Sequence, residues 1–254
     1  MSILLEVKGL SKSFLGVAAV REVSFAVDEL AITGIIGPNG SGKSTTIDCI
    51  TGFQQPDRGS VLLAGTQLVG MPPWRIPHAG LTRTFQTVRV YDDLSLTENL
   101  LVAMQSFDTA NWVDALLRTG RFRRELEAAQ ERASELIALV GLRRYTDAPV
   151  GILSYGQKKL VALASALMSK PRLVVLDEPV AGVNPTRIRE IEEAIRTLRA
   201  AGESFLIIEH NMEFIMNLCD NVFVFDQGAV LASGKPAEVQ EDPRVLEAYL
   251  GVRA

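Results

Sequence analysis

Cysteine, histidine and tryptophan are scarce in this 254-residue chain, with two of each. Cys49 and Cys219 stand far apart in no paired spacing. With only two histidines beside them they cannot assemble a zinc site of the usual ligand spacing, and the thiols read as inert core residues of a reducing compartment. An excess of positive charge is also lacking. Against 30 Asp+Glu stand 26 Lys+Arg, a formal net charge of −4, so no global field favours a nucleic-acid partner. Long apolar runs are missing too. The longest uncharged stretch, 59–74, carries three Gly and two Pro and is no spanning helix, which needs ~20 apolar residues. Glu6 interrupts the start of the chain before a signal-type apolar region forms, so secretion is not expected. What is present, 47% hydrophobic and 22% charged residues, is too apolar for disorder and enough for a substantial core.

Strand and helix signals alternate along the chain, with no low-complexity tract and no internal repeat, which points to the α/β class. Apolar or alternating runs at 4–7, 20–27, 31–36, 60–64, 172–177, 204–209, 222–225 and 230–232 predict strands. Helices are expected over 45–50, 157–169, 185–200 and, as a short closing region, 236–250. Between 94 and 142 the character is helical: Leu126, Ala129, Ala133, Leu136, Ile137 and Val140 recur at three- and four-residue steps.

The strand at 31–36 runs directly into Gly37, Pro38, Asn39, Gly40, Ser41, Gly42, Lys43 and Ser44. These match G-x-x-x-x-G-K-[ST] in the strand-to-helix context that gives the motif its meaning. Successive backbone N–H groups must face a triphosphate at close range, which glycine permits, and the helix beginning near Thr45 adds its partial positive charge. Lys43 supplies the full charge, expected between the β- and γ-phosphates of ATP, and the Ser44 hydroxyl is expected to ligate Mg²⁺. The apolar strand at 172–177 ends in Asp177, and Glu178 follows it directly. At the phosphate-facing edge of such a sheet, Asp177 would hold Mg²⁺ and Glu178 would orient or deprotonate the attacking water.

Leu153, Ser154, Tyr155, Gly156 and Gln157 open a helix with Ser154 placed to cap it, and they resemble the L-S-G-G-Q signature of ATP-binding cassette (ABC) ATPases. The other motifs of that family follow in order over nearly the whole chain. Phe14 sits where the family places an aromatic against adenine. Gln86, in Arg83-Thr84-Phe85-Gln86, resembles the Q-loop glutamine that touches Mg²⁺ or the water. Ala181, Gly182, Val183 and Asn184 occupy the D-loop position, and His210 resembles the switch histidine that contacts the γ-phosphate with Glu178. The resemblance implies a P-loop NTPase fold of the ABC ATPase kind, with a RecA-like core, an antiparallel β subdomain and a helical signature subdomain. The core and β subdomain would cover 1–86 and 170–235, the helical subdomain 87–169, and a C-terminal helical extension 236–254. It also implies an ATPase dimer in which the signature of one subunit closes over ATP held by the other.

Finer details resemble the ATP-binding subunits of branched-chain amino-acid importers, with urea-import subunits close to them. They are Arg83 to Gln86, the run from Thr97 to Ala103, Tyr155 within the signature, Ala181 to Pro185, Asp242-Pro243, and Ala248-Tyr249-Leu250-Gly251. Tyr155 departs from the broad-family glycine and Asn184 from the D-loop aspartate, both as in this branch; Asn211 follows His210 where the branch often has aspartate. The resemblance implies a related second ATP-binding subunit, two hydrophobic permease subunits, an extracytoplasmic solute-binding protein, and a peripheral place on the cytoplasmic face of the membrane. Permease docking is expected near Gln86, Val90, Tyr91 and Leu94. The cluster Arg118, Arg121, Arg123 and Arg124 is expected to be a solvated face. A soluble ABC protein of DNA repair or translation is the rival, but neither a long coiled-coil insertion nor a second cassette is seen.

Overall fold

The computed structural model describes residues 2–104 and 119–250. They divide into two compact units: residues 2–83, 172–179 and 202–250 form the first, and 84–104, 119–171 and 180–201 the second. The helices, in chain order, are α1 (Lys43–Ile50), α2 (Leu96–Val102), α3 (Gly120–Leu139), α4 (Tyr155–Leu167), α5 (Pro185–Ala200), α6 (Met212–Leu218), α7 (Pro236–Glu241) and α8 (Pro243–Leu250).

The first unit holds two sheets. β1 (Ile3–Phe14) and β2 (Val17–Asp28) form an antiparallel hairpin that turns at Leu15 and Gly16, both with positive φ, 48° and 86°. Such a two-residue turn matches the twist of the strands it joins. Cross-strand pairing, not apolar patterning, carries β1 to Phe14, well past the 4–7 stretch legible in the sequence. β4 (Arg58–Leu63) and β5 (Thr66–Gln67) complete the order β2-β1-β4-β5.

The larger sheet orders its strands β10-β9-β3-β8-β7-β6, from β3 (Ile32–Ile36), β6 (Leu81–Arg83), β7 (Leu173–Asp177), β8 (Phe205–Ile208), β9 (Asn221–Asp226) and β10 (Ala229–Gly234). All neighbours run parallel except the hairpin β9–β10. β3 and β8 are buried throughout, which is why their sequences read as unbroken apolar runs. β6 has no such run. It exists through its pairing with β7, from Leu81 opposite Leu173 to Arg83 opposite Val175. Both sheets and α1 bury their apolar faces in one core, where the Phe25 ring centroid lies 5.2 Å from Phe223 and 6.2 Å from Phe225.

In the second unit α3 buries Ala129, Ala133, Leu136 and Ile137, the stripe read from the sequence. Ser95 and Glu98 close a reciprocal capping box at the start of α2. The helical region expected over 236–250 consists of two helices, because Pro243 carries no N–H to continue α7 and opens α8 instead. α6 is too short to show periodicity and is set by Asn211, whose Oδ1 accepts from the Phe214 N–H at 3.1 Å. The amide oxygen thus supplies at Asn211 the cap that aspartate would.

Candidate functional site

The parallel sheet sets one level for three strand ends. Ile208 is in register with Ile35 on one side and with Asp177 on the other. The segments that follow β3, β7 and β8 therefore emerge side by side at the carboxyl edge, where open α/β sheets place their ligands.

After β3, the backbone turns through positive φ at Gly37 (151°), Gly40 (80°) and Gly42 (96°). A Cβ on Gly37 would lie 2.2 Å from the Phe225 carbonyl oxygen, and one on Gly42 would lie 2.5 Å from that of Ala19; at Gly40 nothing lies within 4 Å. Two of the glycines are thus required by space and conformation, the third by conformation alone. Ser41 is buried, and Thr46 Oγ1 donates to the Gly42 carbonyl at 2.9 Å, fixing the first turn of α1. The Lys43 ammonium donates to the Gly37 and Pro38 carbonyls at 2.7 and 2.9 Å and lies 3.4 Å from Ser41 Oγ. Burial holds its pKa below the usual lysine value, partly offset by the Glu178 carboxylate.

Glu178 follows β7 with φ of 49°, a left-handed conformation that costs about 1–3 kcal/mol off glycine and recurs at functional positions. Its N–H donates to the Ile208 carbonyl at 2.9 Å. Its Oε1 stands 3.8 Å from Nδ1 of His210, whose ring is 61% exposed. Behind the ring, the buried Glu209 carboxylate accepts from the His210 and Asn211 N–H groups at 3.0 and 3.2 Å, so Glu209 shapes the turn that presents His210. Asp177 Oδ2 accepts from Arg83 at 2.7 Å. Phe14, at the end of β1, is 42% exposed and is not a core residue; the Lys12 ammonium lies 5.4 Å from its ring centroid.

Ser44 and Asp177 offer hard oxygen donors. Among the described residues no group of three His, Cys, Asp or Glu could hold a metal ion alone. That donor set still suits Mg²⁺, which keeps several waters and binds through one or two protein oxygens plus phosphates.

The second unit carries the other motifs. Ser154 caps α4: its Oγ accepts from the Gln157 N–H at 3.4 Å, while Gln157 Oε1 accepts from the Ser154 N–H at 2.9 Å. Gln157 is buried, its Nε2 donating to Tyr145 Oη at 3.3 Å. A Cβ on Gly156 would lie 3.3 Å from Val183, and one on Gly182 (φ 72°) would lie 3.3 Å from the Tyr155 ring, so the 153–157 and 181–184 segments pack on each other. Asn184 caps α5 by accepting from the Thr186 N–H at 3.0 Å. The carbonyl of the exposed Gln86 accepts from the buried Lys159 ammonium at 2.7 Å. Asn99 accepts from the Tyr91 N–H at 2.8 Å and donates to the Leu94 carbonyl at 3.2 Å, ordering the exposed stretch that includes Tyr91. Arg121 pairs with Glu125 at 2.9 Å, and Arg124 Nε donates to the Gly120 carbonyl; Arg118 and Gly251 lie outside the described residues.

A model of the ABC transporter family matches residues 20–181, which take in the glycine-rich loop, Asp177, Glu178 and the 153–157 motif. The chain belongs to the ABC transporter family. It is an ABC-type ATPase by that membership, and a second model, described as a branched-chain amino acid ATP-binding cassette transporter, matches residues 229–254. The chain is 39% identical to the high-affinity branched-chain amino acid transport ATP-binding protein BraF of Pseudomonas aeruginosa. It is 38% identical to LivG of Salmonella typhimurium, and both alignments cover 98% of each chain. It also resembles the crystal structure of an ATP-binding cassette of an ABC transporter in its ADP conformation, with TM-score 0.86, 35% identity, and 99% and 100% of the two chains covered.

Several residues of this ABC ATPase had no assigned task in the sequence. Arg83 and Glu209 stand there only as neighbours of motif residues, and Asp48 and Lys159 belong to no motif. The one available signal was a charged residue set within or beside an apolar stretch, as with Glu209 after Ile207-Ile208. Cys49 behaves as expected: burial pushes its thiol up to about 11.

Proposed function

We propose that this chain binds Mg²⁺-ATP on the 37–45 loop and hydrolyses it to drive a branched-chain or other small neutral amino-acid importer. The observation that carries the hydrolytic part is the Glu178–His210 pair, 3.8 Å apart at the same sheet edge as the Lys43 loop. Glu178 orients the attacking water and takes up its proton as the water oxygen bonds to the γ-phosphorus and the bond to the β–γ bridging oxygen breaks, releasing ADP and phosphate. His210 contacts the γ-phosphate. Lys43 exchanges the Gly37 and Pro38 carbonyls for the β- and γ-phosphates, the loop amides and the start of α1 face the phosphate oxygens, and Phe14 stacks on adenine. Ser44 and Asp177 would hold Mg²⁺, which would supply positive charge against the phosphates.

Ser154 and the Gly156 N–H, at the start of α4, complete the ATP site of a neighbouring ATPase subunit, with the 181–184 segment beside them. ATP bridges two such surfaces, and its hydrolysis releases them. A related second ATP-binding subunit is the partner in this dimer. Two permease subunits dock near Gln86, Val90, Tyr91 and Leu94, and an extracytoplasmic binding protein delivers the solute. The chain then works at the cytoplasmic face of the membrane; among the described residues no helix is long and apolar enough to cross one. The branched-chain assignment is supported by the family model over 229–254 and by the names of the relatives.

Glu178→Gln tests the chemistry: ATP stays bound and hydrolysis falls by about 10²-fold or more. Undiminished turnover overturns the role of Glu178. Purification from native membranes should recover two permease subunits, and the reconstituted complex should take up leucine, isoleucine or valine. Recovery of soluble proteins alone overturns the importer.

A further inference from the structure

Arg83 ends β6, and its guanidinium joins the two elements that carry the proposed metal donors. Nη2 donates to Asp177 Oδ2 at 2.7 Å. Nη1 donates to Asp48 Oδ1 at 2.6 Å and to Thr51 Oγ1 at 3.1 Å. The Arg83 side chain is 9% exposed, Asp177 15% and Asp48 34%, and the Phe53 ring lies 5.8 Å from the guanidinium carbon. Asp48 belongs to α1 and Thr51 to its C-terminal cap, and α1 begins with Lys43 and Ser44. One rigid fork therefore spans from the helix of Ser44 to the strand end of Asp177.

We propose that Arg83 is a positioning residue for ATP hydrolysis, committing Asp177 Oδ2 to its guanidinium and setting the span between Asp177 and Ser44. This rests on the assignment of Asp177 and Ser44 to Mg²⁺. Two observations favour positioning over charge neutralisation alone. First, a single cation beside Asp177 would suffice to neutralise it, whereas this guanidinium holds both carboxylates with separate nitrogens of one planar group, which a lysine ammonium does not reproduce. Second, the cluster of Asp48, Arg83 and Asp177 keeps a net charge of −1, so the clamp leaves the site attractive to a divalent cation.

The test uses the full-length protein, with Mn²⁺ as the probe, its affinity for the ATP-loaded protein read by electron paramagnetic resonance beside steady-state hydrolysis. Arg83→Lys keeps the charge and removes the fork. It should lower kcat by about tenfold or more while KM for ATP stays within about twofold, because the 37–44 loop is untouched. Mn²⁺ affinity should fall by about tenfold. Asp177→Asn should also weaken Mn²⁺ binding, and adding Arg83→Lys to it should have little further effect, since the clamp then has no carboxylate to hold. Wild-type kcat and Mn²⁺ affinity in Arg83→Lys, with Asp177→Asn impaired, overturn the positioning role alone. Unchanged Mn²⁺ binding in Asp177→Asn overturns the metal assignment and this inference with it. Should Arg83→Lys fail to fold, Asp48→Asn, which releases the α1 anchor and leaves Arg83 in place, should show the same changes to a smaller degree; wild-type values there overturn the proposal.

Discussion

Alanine at two glycines of the same loop separates conformational cost from steric cost. At Gly40 a methyl group meets nothing within 4 Å, so Gly40→Ala changes only the φ of 80° that an L side chain disfavours, about 1–2 kcal/mol. At Gly37 the same methyl would stand 2.2 Å from the Phe225 carbonyl oxygen and 2.7 Å from the buried Ser41 hydroxyl, on a backbone with φ of 151°. The carbonyl belongs to β9, which pairs with β3, so relief requires moving one central strand against another. Overpacking of about 1–3 kcal/mol then adds to a backbone cost of similar size, about 2–6 kcal/mol in all. At ~2–4 °C per kcal/mol for a chain of this order, Gly40→Ala should lower Tm by about 5 °C and Gly37→Ala by about 10 °C or more. Thermal and urea unfolding followed by circular dichroism give the comparison, and ATP titration should show the larger loss of affinity in Gly37→Ala. Equal destabilisation by the two substitutions, or a Gly37→Ala protein within about 1 kcal/mol of wild type, would refute the steric argument.

Lys43→Ala removes the one full positive charge of the loop, and calorimetry should find no ATP binding at sub-millimolar nucleotide; unchanged affinity would reassign the site. Lys159→Met removes the ammonium that holds the Gln86 carbonyl while filling the same buried space. Hydrogen exchange should quicken around 84–88 with unfolding stability within about 1 kcal/mol of wild type, and unchanged exchange would show that the contact does not order this segment. The Tyr249 phenol on α8 is pushed up to about 12, chiefly by burial; its Oη is sealed from solvent, and the Gly37 N–H faces it without closing a hydrogen bond of regular geometry. The folded pKa is raised, so this group's contribution is complete below pH 10 and is lost as pH rises towards 12. Tyr249→Phe should therefore flatten the fall in stability between pH 10 and 12, and an alkaline arm identical to wild type would place the phenol in solvent.

The residues of the site were legible where chemistry imposes local spacing. Gly37 to Ser44 must be contiguous because consecutive amides face one polyanion, and Asp177-Glu178 must close an apolar strand to stand at a sheet edge. Ser154 and Gln157 were legible as a helix start because a capping box is a four-residue device. Asp48, Arg83 and Asp177 could not be connected in this way. They are distant in sequence: Asp177 is legible by itself at the end of its strand, whereas Asp48 in a helix and Arg83 in a short strand carry no local mark that ties them to it.

The amino-acid sequence alone determined the α/β class, the phosphate loop and the order of its motifs, because hydrophobic period, glycine conformation and helix capping act over a few residues. The tertiary structure decided which strands became neighbours: β8 between β3 and β7 brings His210 to Glu178, and β6 beside β7 brings Arg83 to Asp177. It also decided where strands without an apolar run form, as in β6 and the outer half of β1. Pairing between distant segments depends on register and packing across the whole unit, and no local window of the sequence contains both partners.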